Sequence, residues 1–184
     1  MAAAPIFFKV SFCPFDFYIM LRKILILLGS ALLVTAIWTL GAEVIYARIM
    51  AFVSNLLLSL GGSGSTIAVE EEAGEYLFRV HFMLDGQEAS FPQKIQTLLL
   101  PTIIVLAWQV FVAFISGWRQ CLRSAKWNVS LFFAFQVLFL LLLTAYHTSS
   151  LAAFVYDLLM ESFYVIAVVI IIVDNIRNPV FTKR

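Results

Sequence analysis

The feature that most limits what this chain can fold into is its set of four long apolar runs. Each is near the roughly 20 residues that carry a helix across about 30 Å of hydrocarbon. The first extends from Ile24 to Ala42 behind Arg22 and Lys23, and the second from Leu98 to Gly117. The third covers Val129 to Ala145 and the fourth Ala152 to Val173. A water-soluble core could not enclose them all. Of 184 residues, 62% are apolar and 12% charged, where soluble domains average about 45–50% and about 25%. The surplus must face lipid, so the expected fold is an all-α membrane protein with four transmembrane helices. A net charge of +1 gives no basic excess pointing to nucleic acid, and none is expected as a partner. Cys13 and Cys121 fit neither a metal-ligand spacing nor a disulfide framework, so no metal or cofactor is expected.

Cations set the expected orientation. Arg22 and Lys23 precede the first run, Arg119, Arg123 and Lys126 lie between the second and third, and Arg177, Lys183 and Arg184 follow the fourth. Four crossings put all three groups on one side. Residues 43–97 carry Arg48, Arg79 and Lys94 against Glu43, Glu70, Glu71, Glu72, Glu75, Asp85 and Glu88. Positive charge marks the cytoplasmic side, so both ends are expected inside, loop 43–97 outside and the basic tail 174–184 cytoplasmic. The expected location is the inner (cytoplasmic) membrane. Trp118 and Trp127 bracket the basic loop at headgroup level. Residues 1–20, rich in Phe and broken by Pro5 and Pro14, are too irregular for a span, and Met20-Leu-Arg-Lys reads as an alternative start. Met20 to Ala36 also resembles a secretory signal, with Val34 and Ala36 as small cleavage residues. Apolar sequence continues beyond Ala36, which favours an uncleaved anchor as helix 21–42.

Within the outer loop, Ile45, Ile49, Val53, Leu56, Leu57 and Leu60 recur at helical spacing, predicting an amphipathic helix over 43–60. It either lies on the outer leaflet or prolongs the first span. Gly61-Gly62-Ser63-Gly64-Ser65 follows as a flexible joint. Thr66–Val69 and Tyr76–Met83 read as a β-hairpin within 66–83, turning at Ala73-Gly74. Asp85-Gly86 marks another turn, and Ser90-Phe91-Pro92 leads into the second span. Alternation puts Tyr76, Phe78, Val80 and Phe82 on one strand face and Leu77, Arg79, His81 and Met83 on the other. A lone hairpin is marginal in water, so it should rest on the amphipathic helix, the membrane or a partner. Tyr76, Phe78, Arg79, Val80 and Phe82 are the candidate partner-binding residues.

Polar residues inside apolar runs are costly and are the natural candidates for function. Asp157 and Glu161 stand one helical turn apart, able to share a proton or bind a cation, or simply hydrated at headgroup level. His147, beside Tyr146 at the outer turn, is either an acid–base group or an interfacial side chain. Gln109 and Gln136 carry amides toward mid-membrane, where bonds across neighbouring helices are the expected use and substrate binding the alternative. Glu70-Glu71-Glu72 with Glu75 lacks the spacing of a calcium loop and reads as a solvated turn. Cys121 has no base nearby in sequence. Asn128-Val129-Ser130 matches a glycosylation acceptor on what is expected to be the cytoplasmic side.

The order of these parts resembles the small membrane proteins encoded beside exosortases, bacterial transpeptidase-like enzymes of protein sorting. In those companions an N-terminal span is followed by an apolar segment, a β-rich external stretch and three further spans ending in a basic tail. The corresponding pieces here are Ile24–Ala42, Ile45–Leu60, Thr66–Met83 and the spans beginning near Leu98, Val129 and Ala152. The resemblance is one of layout over nearly the whole chain. It implies a non-enzymatic accessory or assembly subunit that binds a larger membrane protein, beside its lipid bilayer. The exosortases themselves array Cys, Arg and His at the outer face. Here Cys121 is expected inside and His147 outside, so that trio is not assembled. Two other readings follow from the residues: a homo-oligomeric transporter or ion-conducting protein using Asp157 and Glu161, and an outer-face hydrolase or transferase around His147, Asp157 and Glu161.

Overall fold

Helix is present from the first described residue, Pro14, and in the computed structural model, which describes residues 14–84 and 87–180, it runs almost unbroken to Leu60. Part of the stretch that reads as irregular is therefore helix. The Phe-rich segment ahead of Pro14, the Asp85-Gly86 turn, Lys183 and Arg184 lie outside the described residues. α1 (Pro14–Ile37) passes through a five-residue π-turn, Trp38–Ala42, into α2 (Glu43–Leu60). The bend centres on Gly41 at φ 110°, a conformation glycine reaches without steric cost. The 43 residues from Tyr18 to Leu60 would measure about 65 Å as one straight helix. That is twice the hydrocarbon thickness, so part of it must leave the bilayer.

β1 (Thr66–Glu72), β2 (Glu75–Leu84) and β3 (Gln87–Lys94) form an antiparallel sheet in that order, followed by α3 (Ile95–Ser116), α4 (Trp118–Thr144) and α5 (Ser150–Arg177). Among the described residues, four helical segments, with α1 and α2 counted together, are long and apolar enough to cross a membrane, the pattern of a multi-pass membrane protein. α3 is the central one: 56% of its most apolar stretch is buried, against 17% in the first segment. Phe139 of α4 stacks on Tyr156 of α5 at 4.2 Å and meets Phe163 edge-on at 5.0 Å, geometries that aromatic rings favour.

Several expected boundaries move. The hairpin gains a third strand, because Ser90-Phe91-Pro92 pairs with His81-Val80-Arg79 instead of leading directly into a helix. Pro92 lacks an N–H and is tolerated because β3 is an edge strand. The basic residues Arg119, Arg123 and Lys126 form no loop. They lie in the first turns of α4, which follows α3 after a single residue, Gly117, at φ 88°. The expected tail begins too early as well, since α5 continues to Arg177. Hydropathy marks the lipid-crossing stretch, whereas the helix continues through polar residues of adequate propensity. The start of the expected flexible joint is a hydrogen-bonded stop. Gly62 is left-handed (φ 69°), Ser63 N–H donates to the Leu58 carbonyl at 3.0 Å and Gly62 N–H to that of Ser59 at 3.2 Å, closing α2.

α2 continues α1 beyond the bend at Gly41 and packs against α4. Its Tyr46 hydroxyl donates to Gln136 Oε1 in α4 at 2.7 Å, and Ala47 and Met50 are fully buried. Farther along, Asn55 ties it to the sheet, donating from Nδ2 to the Ile67 carbonyl and accepting from the Ile67 N–H, both at 2.8 Å. That pair satisfies two backbone groups on the open edge of β1.

Candidate functional site

The alternation read along β2 survives in three dimensions. Tyr76, Phe78, Val80 and Phe82 share a face, which β1 and β3 extend with Ile67 and Phe91. Phe78, Val80 and Phe82 are buried in the chain's own core, however, so they seal the sheet onto the helices rather than offer themselves to a partner. Tyr76 is half-exposed at the margin. The reason is size: a small sheet cannot keep one apolar face in water, and the end of the helical bundle is the nearest cover. His147 belongs to this seam. Its ring stacks on Phe82 at 5.6 Å and meets Phe91 edge-on at 5.2 Å.

Arg79 stands on the opposite, outward face. Its Nε contacts Glu70 at 2.5 Å and its Nη2 contacts Glu72 at 2.6 Å. His81 lies 3.9 Å from Glu70 and 3.5 Å from Glu88, and Lys94 pairs with Glu75 at 2.7 Å. Carboxylates outnumber the fixed cations here, so the face is acidic with its Arg neutralised internally.

Asp157 and Glu161 are both exposed on α5, and among the described residues no hydrogen bond or ion pair joins either to another side chain. His147 sits in the aromatic seam and is not brought into contact with them. No group of three or more potential metal ligands occurs among the described residues.

The two glutamines have different surroundings. Gln136 is fully buried and saturated. It accepts from Tyr46 and donates from Nε2 to Thr102 Oγ1 at 2.8 Å and to the Leu98 carbonyl at 3.1 Å, tying α2, α3 and α4 together. Gln109 is 5% exposed, and neither its amide nitrogen nor its oxygen has a partner. It lines a groove between the α1–α2 bend and α3 with a volume of about 730 Å³.

A polar cluster that sequence reading passes over lies at the other end of the bundle from the sheet. Asp174, assigned above to the basic tail, is 4% exposed. Its Oδ2 accepts from Trp108 Nε1 at 2.7 Å and from Ser124 Oγ at 2.8 Å, and its Oδ1 from Asn178 Nδ2 at 3.1 Å. Asn128 donates to Ser124 Oγ at 2.9 Å, so the acceptor asparagine of the glycosylation match is itself sequestered. Lys23 Nζ donates to the Val180 carbonyl at 2.9 Å, tying α1 to the residues that follow α5. One carboxylate thus receives donors from α3, α4 and the end of α5, which orders the bundle without presenting a reactive group. The available signal was spacing: Ile170 and Asp174, four residues apart, are both buried, so Asp174 prolongs the packed face of α5 past the end of its apolar run. Cys121 is buried too, with its Sγ 3.2 Å from the Gln109 carbonyl.

Comparison with protein-family models, with curated proteins and with solved structures gave no match.

Proposed function

We propose that the chain is a non-enzymatic accessory or assembly subunit of a bacterial envelope protein-sorting or export system, seated in the cytoplasmic membrane and bound to a larger membrane protein. The observation that supports this reading is the sealed sheet. Its apolar face is consumed by the helical bundle, and its charged face, with Arg79 held between Glu70 and Glu72, is turned away from that bundle. A rigid acidic platform of this kind suits a basic surface on a neighbouring membrane protein, because complementary charge sets orientation and encounter rate. The layout shared with exosortase companions points the same way.

The reading is tested by affinity purification from the native host in mild detergent, with mass spectrometry of the eluate. A stoichiometric membrane protein should co-elute with the wild-type chain. Glu72 and Glu88 project from the outward face with side chains 61% and 75% exposed. The double reversal Glu72→Lys/Glu88→Lys should release that protein while insertion and thermal stability stay as in wild type. A wild-type chain that elutes alone, or a double variant that keeps its full complement, refutes the proposal.

A further inference from the structure

We propose that the first turns of α4 form a binding site for an anionic glycerophospholipid. Its phosphate meets Arg119, Arg123 and Lys126, and its acyl chains lie along the helix beyond them. The three cations follow one another at i, i+4 and i+7, which makes a single stripe about 10 Å long on one helical face. On the opposite face Cys121, Ser124 and Asn128 are buried against the bundle, so the stripe points away from it. All three cations are exposed, and among the described residues none is paired with a carboxylate.

The contrast with the sheet is the second observation. There Arg79 and Lys94 are held by Glu70, Glu72 and Glu75. On α4 the nearby carboxylate, Asp174, meets the inner face of the helix through Ser124 and spends both oxygens on the neutral donors Trp108, Ser124 and Asn178. The stripe therefore keeps its full positive charge for something outside the chain. Guanidinium groups grip phosphate oxygens in pairs, which makes arginine the better matched of the cations to that anion.

What surrounds the cations separates a lipid from a soluble anion. Trp118 and Trp127 are 67% and 68% exposed and Leu122 is 53% exposed, all flanking the stripe. Exposed indoles set among cations suit the bilayer interface, where the ring lies in apolar surroundings and its N–H stays wet. From Trp127 onward an exposed apolar path runs through Leu131, Ala134 and Leu138 at helical spacing. Helical side chains lean toward the N-terminus, here the polar end of α4. Lys126 can lay its methylene stem over apolar surface and bring its ammonium down toward Arg123. Phosphate is thus met at one depth, with hydrocarbon beside Leu131 and Leu138.

The experiment uses the full chain in nanodiscs of phosphatidylcholine mixed with phosphatidylglycerol, one lipid or the other carrying bromine near its headgroup. Quenching of Trp127, isolated by difference from Trp127→Phe, reports which lipid sits at the stripe. Brominated phosphatidylglycerol should quench more strongly than brominated phosphatidylcholine at equal mole fraction. Arg119→Gln, Arg123→Gln and Lys126→Gln, made singly, keep two of the three cations. Each should lower the preference about fivefold, the worth of one cation at an anionic surface. Arg48→Gln, which removes an exposed cation from α2, should leave the preference unchanged. Free glycerol phosphate should not displace the lipid, because it has no acyl chains to lay along α4. Equal quenching by the two lipids overturns the proposal and leaves the stripe to an acidic protein partner. A preference that survives all three single substitutions, or that falls equally in Arg48→Gln, overturns it by reducing the effect to the overall charge of the chain. Displacement by glycerol phosphate also overturns it, and would give the stripe to a soluble anion.

Discussion

Removing the Asp174 carboxylate should destabilise this protein measurably, because it unties three elements of the bundle at once. Asp174→Ala leaves the Trp108 N–H and the Ser124 hydroxyl facing an apolar gap, together with the Asn178 amide. Two of those bonds cross between helices, and such bonds in membrane proteins are worth about 0.6–1.7 kcal/mol each. Orphaned donors and the small cavity add about 1 kcal/mol, for a total near 2–4 kcal/mol. Asp174→Asn separates hydrogen bonding from charge. Its carbonyl oxygen can take the place of Oδ2 and accept from both Trp108 and Ser124, while its NH₂ faces Asn178, whose amide can turn to accept. The expected loss is then under about 1 kcal/mol. Reversible unfolding in mixed micelles, followed by tryptophan fluorescence, measures both, and Trp108→Phe in a double-mutant cycle isolates the first bond. An Asp174→Ala variant within about 0.5 kcal/mol of wild type, or an Asn variant as unstable as the Ala one, would refute the clamp.

Asn55→Ala strips two hydrogen bonds from the Ile67 backbone. It should cost about 1–2 kcal/mol and speed amide exchange at Ile67, which exchange mass spectrometry reads directly. Tyr46→Phe leaves Gln136 short of a donor, and a cycle with Gln136→Leu should return a coupling of about 0.6–1.7 kcal/mol; zero coupling would remove the three-helix tie. Ala73 adopts φ 52° beside Gly74 at φ 80° in the β1–β2 turn. Ala73→Asn, which tolerates that conformation, should stabilise the sheet by about 0.5–1 kcal/mol in the same unfolding assay. The exposed, unpartnered pair changed as Asp157→Asn/Glu161→Gln should alter neither unfolding nor ion flux in liposomes. A flux present in wild type and lost in the double variant would restore the transporter reading.

The sequence by itself determined the four membrane-length helices, the first strand pair with its turn at Ala73-Gly74, and the alternation along β2. Each rests on local composition or a short period, and solvent acts on each segment separately, so no knowledge of neighbours is needed. Bonds across the bundle were foreseeable at Gln136 for the same reason: an amide in hydrocarbon must find a partner. Which glutamine is paired was not foreseeable. Gln109 and Gln136 are alike in composition and depth, and only the bend at Gly41, which carries Tyr46 to Gln136 and opens a gap beside Gln109, tells them apart. The covered face of the sheet, the edge of β1 held by Asn55 and the burial of Asp174 depend likewise on the packing of distant segments. A residue's polarity is written in the sequence; whether water, lipid or another side chain meets it is decided where helices cross.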